Sequence, residues 1–281
     1  MPLLAPAEPS GRVVTAAGAD VIRTLTQFTA TTGVTLTASA TPHALPASPT
    51  EIISAANNTV EAEWIRIIIQ ATGTSATLTD ALLNIYIGGA GAETLLIDSL
   101  SAGWAATTAD TSLPNVYWFP IRIPRGTRIS ASLRALIASD TAEVIIELGV
   151  SNGTHWVGSG VETLGEDTAN SRGTSVTSAT SAPGWTTMGT TGRRYRYITV
   201  AAQGNNDVSI LDGWVTWGIG TSSAVIQNLR HIHTRTDNLE AHEYNNPGLW
   251  CDIPSGTSLQ VQAWVTQAPS GVIYATLHGV Y

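Results

Sequence analysis

The sequence predicts an all-β chain: two tandem antiparallel β-sandwiches of jelly-roll type behind a short N-terminal arm. Three observations predict it. Apolar and polar residues alternate over short runs, no stretch combines helical spacing with capping residues, and one phrase in the first half is spelled again in the second.

That phrase is Ile123-Pro124-Arg125-Gly126-Thr127, which recurs as Ile253-Pro254-Ser255-Gly256-Thr257, a shift of 253 − 123 = 130. The same shift carries Phe119, Ile121 and Ile123 onto Leu249, Cys251 and Ile253. It carries Ile129, Ala131 and Leu133 onto Leu259, Val261 and Ala263. It also sets Ile85 and Ile87 on Val215 and Trp217, and Leu148-Gly149-Val150 on His278-Gly279-Val280. Upstream, Trp64–Ile69 aligns with Tyr195–Val200 at 131, and Gly33–Ala40 with Gly173–Thr180 at 140. The first copy is thus longer between these blocks (64 − 33 = 31 against 195 − 173 = 22), and the Pro-rich stretch 42–50 is a loop that would absorb the difference. The division expected is an arm over 1–17, one sandwich over 18–150 and a second over 151–281, each long enough to bury its own core.

Individual strands follow from a period of two. Phe119, Ile121 and Ile123 share one side, and Pro120 and Arg122 take the other. Past the turn, Ile129, Ala131 and Leu133 face inward while Arg128, Ser130, Ser132 and Arg134 face outward. Pro124 and Pro254 remove a ladder donor at a strand end, and Gly126 and Gly256 supply a positive φ, so these four make structural corners. Trp64–Gln70, Leu82–Gly88, Glu93–Leu100 and Glu143–Val150 read as four more strands.

Composition narrows the function. Only 12% of residues are charged, the formal net charge is −8, and all 13 basic residues are arginine. Such a chain lacks the basic footprint that nucleic acid requires. Cys251 is the sole cysteine, which excludes an intramolecular disulfide and a cysteine metal cage. No apolar run reaches the roughly 18 residues of a membrane span, and the N-terminus lacks the pattern of a signal peptide, so synthesis in a host cytoplasm is expected.

The order of Gly33–Thr37, the aromatic block Trp64–Ile69, Thr94–Leu100 and then Phe119–Ala135 resembles a family of tailed-bacteriophage virion proteins. That family is similar in a recurring Pro-Ile-x-Ile-Pro-x-Gly-Thr-x-Ile block followed by a strand of alternating small residues. The resemblance runs through the chain twice, from about Gly18 to Tyr281. The second copy departs from it, with Asp252 and Ser258 in the places of Arg122 and Arg128. The resemblance implies a virion part outside the genome compartment, and it supplies no catalytic residue.

Candidate chemistry is sparse. His231 and His233 are two apart, so on a strand they share a face, and with His242 they could hold zinc; the alternative is a strand with exposed polar residues. No Gly-x-Ser-x-Gly elbow is present, and Cys251 falls on the inward position of Ile121. Three tryptophans of the second copy, Trp214, Trp250 and Trp264, fall on the outward parity, where they could stack on sugar rings or a neighbouring subunit. Arg194 and Arg196 replace Glu63 and Ile65, a charge change suited to a subunit contact.

Three functions are therefore expected, in descending order. The first is a non-enzymatic structural part of a tailed-phage particle (fibre, collar, tail or capsid decoration), located in the virion. It would be a symmetric homo-oligomer without cofactor, gripping other virion proteins through residues 1–17. The second is an adhesin for host-surface carbohydrate using Trp214, Trp250 and Trp264. The third is a metal-dependent hydrolase using His231 and His233.

Overall fold

The computed structural model describes residues 25–26, 33–71, 80–102, 115–150, 156–181, 184–204, 211–221, 223–237, 240–241, 248–265 and 272–281. The arm at 1–17 lies outside them. In the first half the strands are β1 (Leu25–Thr26), β2 (Val34–Thr37), β3 (Thr50–Ile53), β4 (Trp64–Ala71), β5 (Ala81–Ile87), β6 (Thr94–Ser101), β7 (Asn115–Phe119), β8 (Ile129–Ala135) and β9 (Thr141–Gly149). The second half holds β10 (Val161–Leu164), β11 (Glu166–Asp167), β12 (Arg172–Thr177), β13 (Thr186–Thr190), β14 (Tyr195–Gly204) and β15 (Leu211–Thr221). It continues with β16 (Ala224–Asp237), β17 (Glu240–Ala241), β18 (Leu249–Ile253), β19 (Ser258–Val265) and β20 (Val272–Val280).

All pairings are antiparallel apart from isolated bridges. The first half makes one sheet in the order β2-β9-β4-β7, with β1 also on β9, and a second in the order β3-β8-β5-β6. In the second half the orders are β12-β20-β14-β18, with β10 also on β20, and β13-β19-β15-β16. Each half thus interleaves its strands between two facing sheets with Greek-key connections, which is the jelly roll. Position for position, the second set of orders matches the first. So does an irregularity: the register shifts between Glu51 and Ile53 on β3, and between Thr187 and Gly189 on β13. In both places the skipped residue, Ile52 or Met188, packs into its own core.

Local sequence explains the first sandwich directly. On β9, Ala142, Val144, Ile146 and Leu148 are buried while Glu143, Ile145 and Glu147 are half-buried, the signature of a strand with one covered face. Strand β20 breaks that rule, because every residue from Ile273 to Val280 is buried. Ile273, Ala275 and Leu277 fill the second core, and Val280 packs into the first. Tyr197 and Ala201 of β14 also join the first core, although Ile198, Val200 and Ala202 belong to the second. The centre of the β12-β20-β14-β18 sheet is therefore covered on both faces, by its own sandwich and by the edge strands β6 and β7 of the first, while Ser175 and Thr177 of β12 and Asp252 of β18 stay exposed.

Register corrects the constant shift expected from sequence. Ile87 pairs with Ile129 as Ile219 pairs with Leu259, so β5 maps to β15 at 219 − 87 = 132 when β8 maps to β19 at 259 − 129 = 130. Ile65 pairs with Phe119 as Ile198 pairs with Leu249, which moves β4 onto β14 at 198 − 65 = 133. Ile65 also pairs with Leu148 as Ile198 pairs with Gly279, giving 279 − 148 = 131 for the last strand. Ile65 thus matches core residue Ile198, not Arg196. Leu148 matches Gly279, because an odd step reverses the faces of a strand.

Candidate functional site

Both Ile-Pro-x-Gly-Thr corners are built alike. Gly126 has φ 74° and Gly256 has φ 80°, a region that favours glycine. Each glycine N–H donates to the backbone of the segment entering β4 or β14, at Asn58 O (2.8 Å) and Thr191 O (2.7 Å). A buried side chain then fastens the turn. Asn58 Nδ2 donates to Pro124 O (3.0 Å) and Thr127 O (3.1 Å), and Thr191 Oγ1 donates to Pro254 O (2.8 Å). Pro124, Gly126, Pro254 and Gly256 thus sit in two turns fastened to the chain that leads into β4 and β14.

Between the sandwiches lies an aromatic joint. Trp118 of β7, Tyr197 of β14 and Trp250 of β18 meet edge-to-face, with centroids 5.3, 6.3 and 5.1 Å apart. Trp250, expected at an outer surface, is half-buried here. Its outward parity holds for its own sandwich, but outward on this sheet means toward the other one. Deeper in the joint, His278 stands edge-on to Tyr117 (6.0 Å) and Phe119 (6.1 Å). The Thr163 hydroxyl donates to Asp98 O at 2.7 Å, so its oxygen accepts from His278 Nδ1 at 3.0 Å. His278 Nε2 faces Thr276 Oγ1 at 3.4 Å. Full burial without a counter-charge pushes the His278 pKa down to about 3, so the ring is neutral.

Polar contacts complete the joint. Arg134 Nη1 donates to Thr168 O (3.1 Å), and His43 Nδ1 lies 3.1 Å from Ser171 Oγ. Arg172 Nη1 donates to Tyr274 OH (2.8 Å). Burial pushes Asp80 up to about 6, against the lowering field of Arg172. Sequence reasoning missed this joint. A signal was present: β20, and β14 beyond Arg196, carry apolar or neutral residues on both parities, whereas β9 keeps glutamates on one.

Of the other predicted residues, Trp214 and Trp264 do reach solvent, at 51% and 39% exposure. They are direct partners across β15 and β19. Arg194 is exposed and pairs within its own sandwich. Its guanidinium grips Asp252 with two hydrogen bonds, which hold that carboxyl below the usual range. Arg196 is exposed on β14. His231 and His233 lie on β16 at the register of Thr216 and Trp214, and His242 lies outside the described residues. Among the described residues, no three His, Cys, Asp or Glu side chains converge on a metal position. Cys251 is half-buried, its Sγ 3.8 Å from Tyr195 O, and burial pushes its thiol up to about 12, which withholds the nucleophilic thiolate at neutral pH. No helix among the described residues is long and apolar enough to cross a membrane.

No family model matches the chain, and no curated protein matches it. Among solved structures it is similar to the major capsid protein P2 of bacteriophage PM2, at 10% identity over 93% of this chain and 98% of that one, with a TM-score of 0.31. A likeness of that size transfers no function.

Proposed function

We propose that the chain is a non-enzymatic structural component of a tailed-phage particle, made of two jelly rolls descended from one by duplication and divided near 150/151. In this reading it resides in the virion, assembles as a symmetric oligomer, and holds a neighbouring virion protein through residues 1–17. The observation that carries it is the β12-β20-β14-β18 sheet, covered on both faces at its centre. Burying the centre of a sheet face between modules favours one stiff body, where an enzyme of two domains would keep a cleft at that place. Jelly rolls serve in viral capsids and in lectins, which favours the reading by analogy of fold alone. Matched strand orders, the shared irregularity on β3 and β13, and the two corner latches support the duplication.

Two measurements test the proposal. Native mass spectrometry of the purified chain is expected to show one closed oligomer. Cryo-microscopy of intact particles is expected to place both jelly rolls in the shell or tail, with residues 1–17 against a different protein. A monomer that is absent from particles would overturn it.

A further inference from the structure

We infer that the outer face of the β2-β9-β4-β7 sheet is the seat for a second copy of this chain, docked by the edge that its second sandwich forms from β16 and β18. The inference rests on the particle reading above and deepens it, by naming the surfaces through which copies join.

An aliphatic row crosses that face. Ile68 of β4 pairs directly with Ile145 of β9 on one side and with Val116 of β7 on the other. Strand parity turns all three away from their own core, where Ile67, Ile69, Val144 and Ile146 hold the alternate positions. Each of the three is half-buried. A polar pair follows on either side of the row, Arg66 with Glu147 and Gln70 with Glu143. An apolar centre inside a polar rim is how protein-binding surfaces are built.

The chain itself shows what such a face receives. At the same register in the second sandwich stand Ala201 and Thr276, direct partners on β14 and β20. Both are 2% exposed, and Ala201 belongs to the core of the first sandwich. The cover over that sheet is the edge made by β6 and β7. In the second sandwich β16 and β18 hold the places of β6 and β7. Among the described residues β18 ends its sheet, and β16 is followed only by the two residues of β17. One chain thus carries both halves of an unjoined contact, a seat on the first sandwich and an edge on the second. Two copies set head to tail bring them together as the two sandwiches of one copy already meet, and they cover strand edges in doing so.

The rim separates this contact from the internal joint. There the flanking pairs are Thr199 with His278 and Gln203 with Tyr274, all uncharged. The open face keeps the Arg66–Glu147 ion pair, which costs little while half-exposed. Such a face suits a contact whose halves must also exist apart, before copies assemble. Other occupants fit less well. A sugar is held by aromatic faces, and this row is aliphatic. Nucleic acid is disfavoured by Glu143, Glu147 and the net charge of −8.

I145E tests the seat, because it sets a carboxylate in the middle of the row without entering the core. Analytical ultracentrifugation is expected to show the parent as an oligomer and I145E with self-association weakened by about tenfold or more. W264A, on a different sheet, should associate as the parent does. A circular dichroism spectrum like the parent's will show that the variants remain folded. Photo-crosslinking then identifies the occupant. The full chain carrying p-benzoylphenylalanine in place of Ile145 is expected to give a dimer-sized product on a denaturing gel, with the joined peptides drawn from residues 224–253. Crosslinks to residues 1–24, or to the same sheet face of a second copy, would overturn the inference. So would an I145E chain that associates as the parent does. These results leave the particle reading standing, whereas a monomeric parent that is absent from particles would remove both.

Discussion

Glu147 and His278 hold the same register position in the two sandwiches, and their surroundings are opposite. Glu147 pairs with Arg66 across β9 and β4, 3.1 Å apart on a half-exposed face. His278 pairs with Thr199 across β20 and β14 and is wholly buried against the first sandwich. Exchanging an ion pair for Thr and a neutral imidazole is what allows that face to be covered, since an uncovered pair costs little and a buried one costs much.

A pH dependence follows from His278. Its folded pKa is lowered to about 3 from an ordinary 6.5, so the unfolded chain binds a proton through that window and the folded chain does not. Stability therefore falls as pH drops from 6.5 toward 3, by at most about 1.4 kcal/mol per pH unit. Asp80 has the opposite sign. Its folded pKa is raised to about 6 from 3.8, so its contribution is present at low pH and is lost as pH rises through about 6. Urea unfolding at a series of pH values is expected to show H278Q with a flatter acid limb than the parent. D80N should be steeper on the same limb, because it removes the compensating uptake.

Gly279 is expected to reject any side chain. A Cβ there would lie 2.3 Å from the Tyr195 ring. That ring cannot swing aside cheaply, because its hydroxyl donates to Glu162 at 2.5 Å, and Glu162 also accepts from the backbone of Gly192 and Arg193. G279A should cost about 3 kcal/mol or more by overpacking. G126A meets open space and only the strain of φ 74°, about 1 kcal/mol. Chemical denaturation that ranks G126A as the worse variant would refute this account of both glycines.

The corner latches give a paired test. N58A removes two donors from Pro124 O and Thr127 O at a buried position, with an expected loss of about 2–3 kcal/mol. T191V keeps the volume but removes both the donor to Pro254 O and the acceptor of the Thr257 N–H, so its loss should be similar, about 2–3 kcal/mol. Thermal melts of the two single variants and the double variant suffice. Far apart in the chain, the latches should act additively.

How far the sequence foretold this depends on the strand. Ile129, Ala131 and Leu133 and their counterparts Leu259, Val261 and Ala263 are all buried, as the alternation of apolar and polar residues foretold, but Ser130, Ser132 and Gln260, expected outward, are buried as well. The corners were legible for a similar reason, since Pro and Gly fix local geometry. Leu148 and His278 were not, because insertions and register shifts between the corner and the last strand add an odd residue and reverse the faces. Trp250 failed differently. Its parity was read correctly, but no periodicity within one sandwich can tell that a second sandwich covers its outer sheet.

Trp250 consequently offers the sharpest test of the stiff joint. It contributes an edge-to-face contact to both Trp118 and Tyr197, one from each sandwich. W250A should cost about 3 kcal/mol for the lost burial and contacts. The loss falls between modules, so it should also weaken the coupling that makes both sandwiches melt together. Calorimetry is expected to show one transition for the parent and two for W250A, whereas W264A, on the exposed face, keeps one. Two transitions in the parent would mean that the sandwiches unfold independently, and a sheet covered on both faces would then not be what binds them.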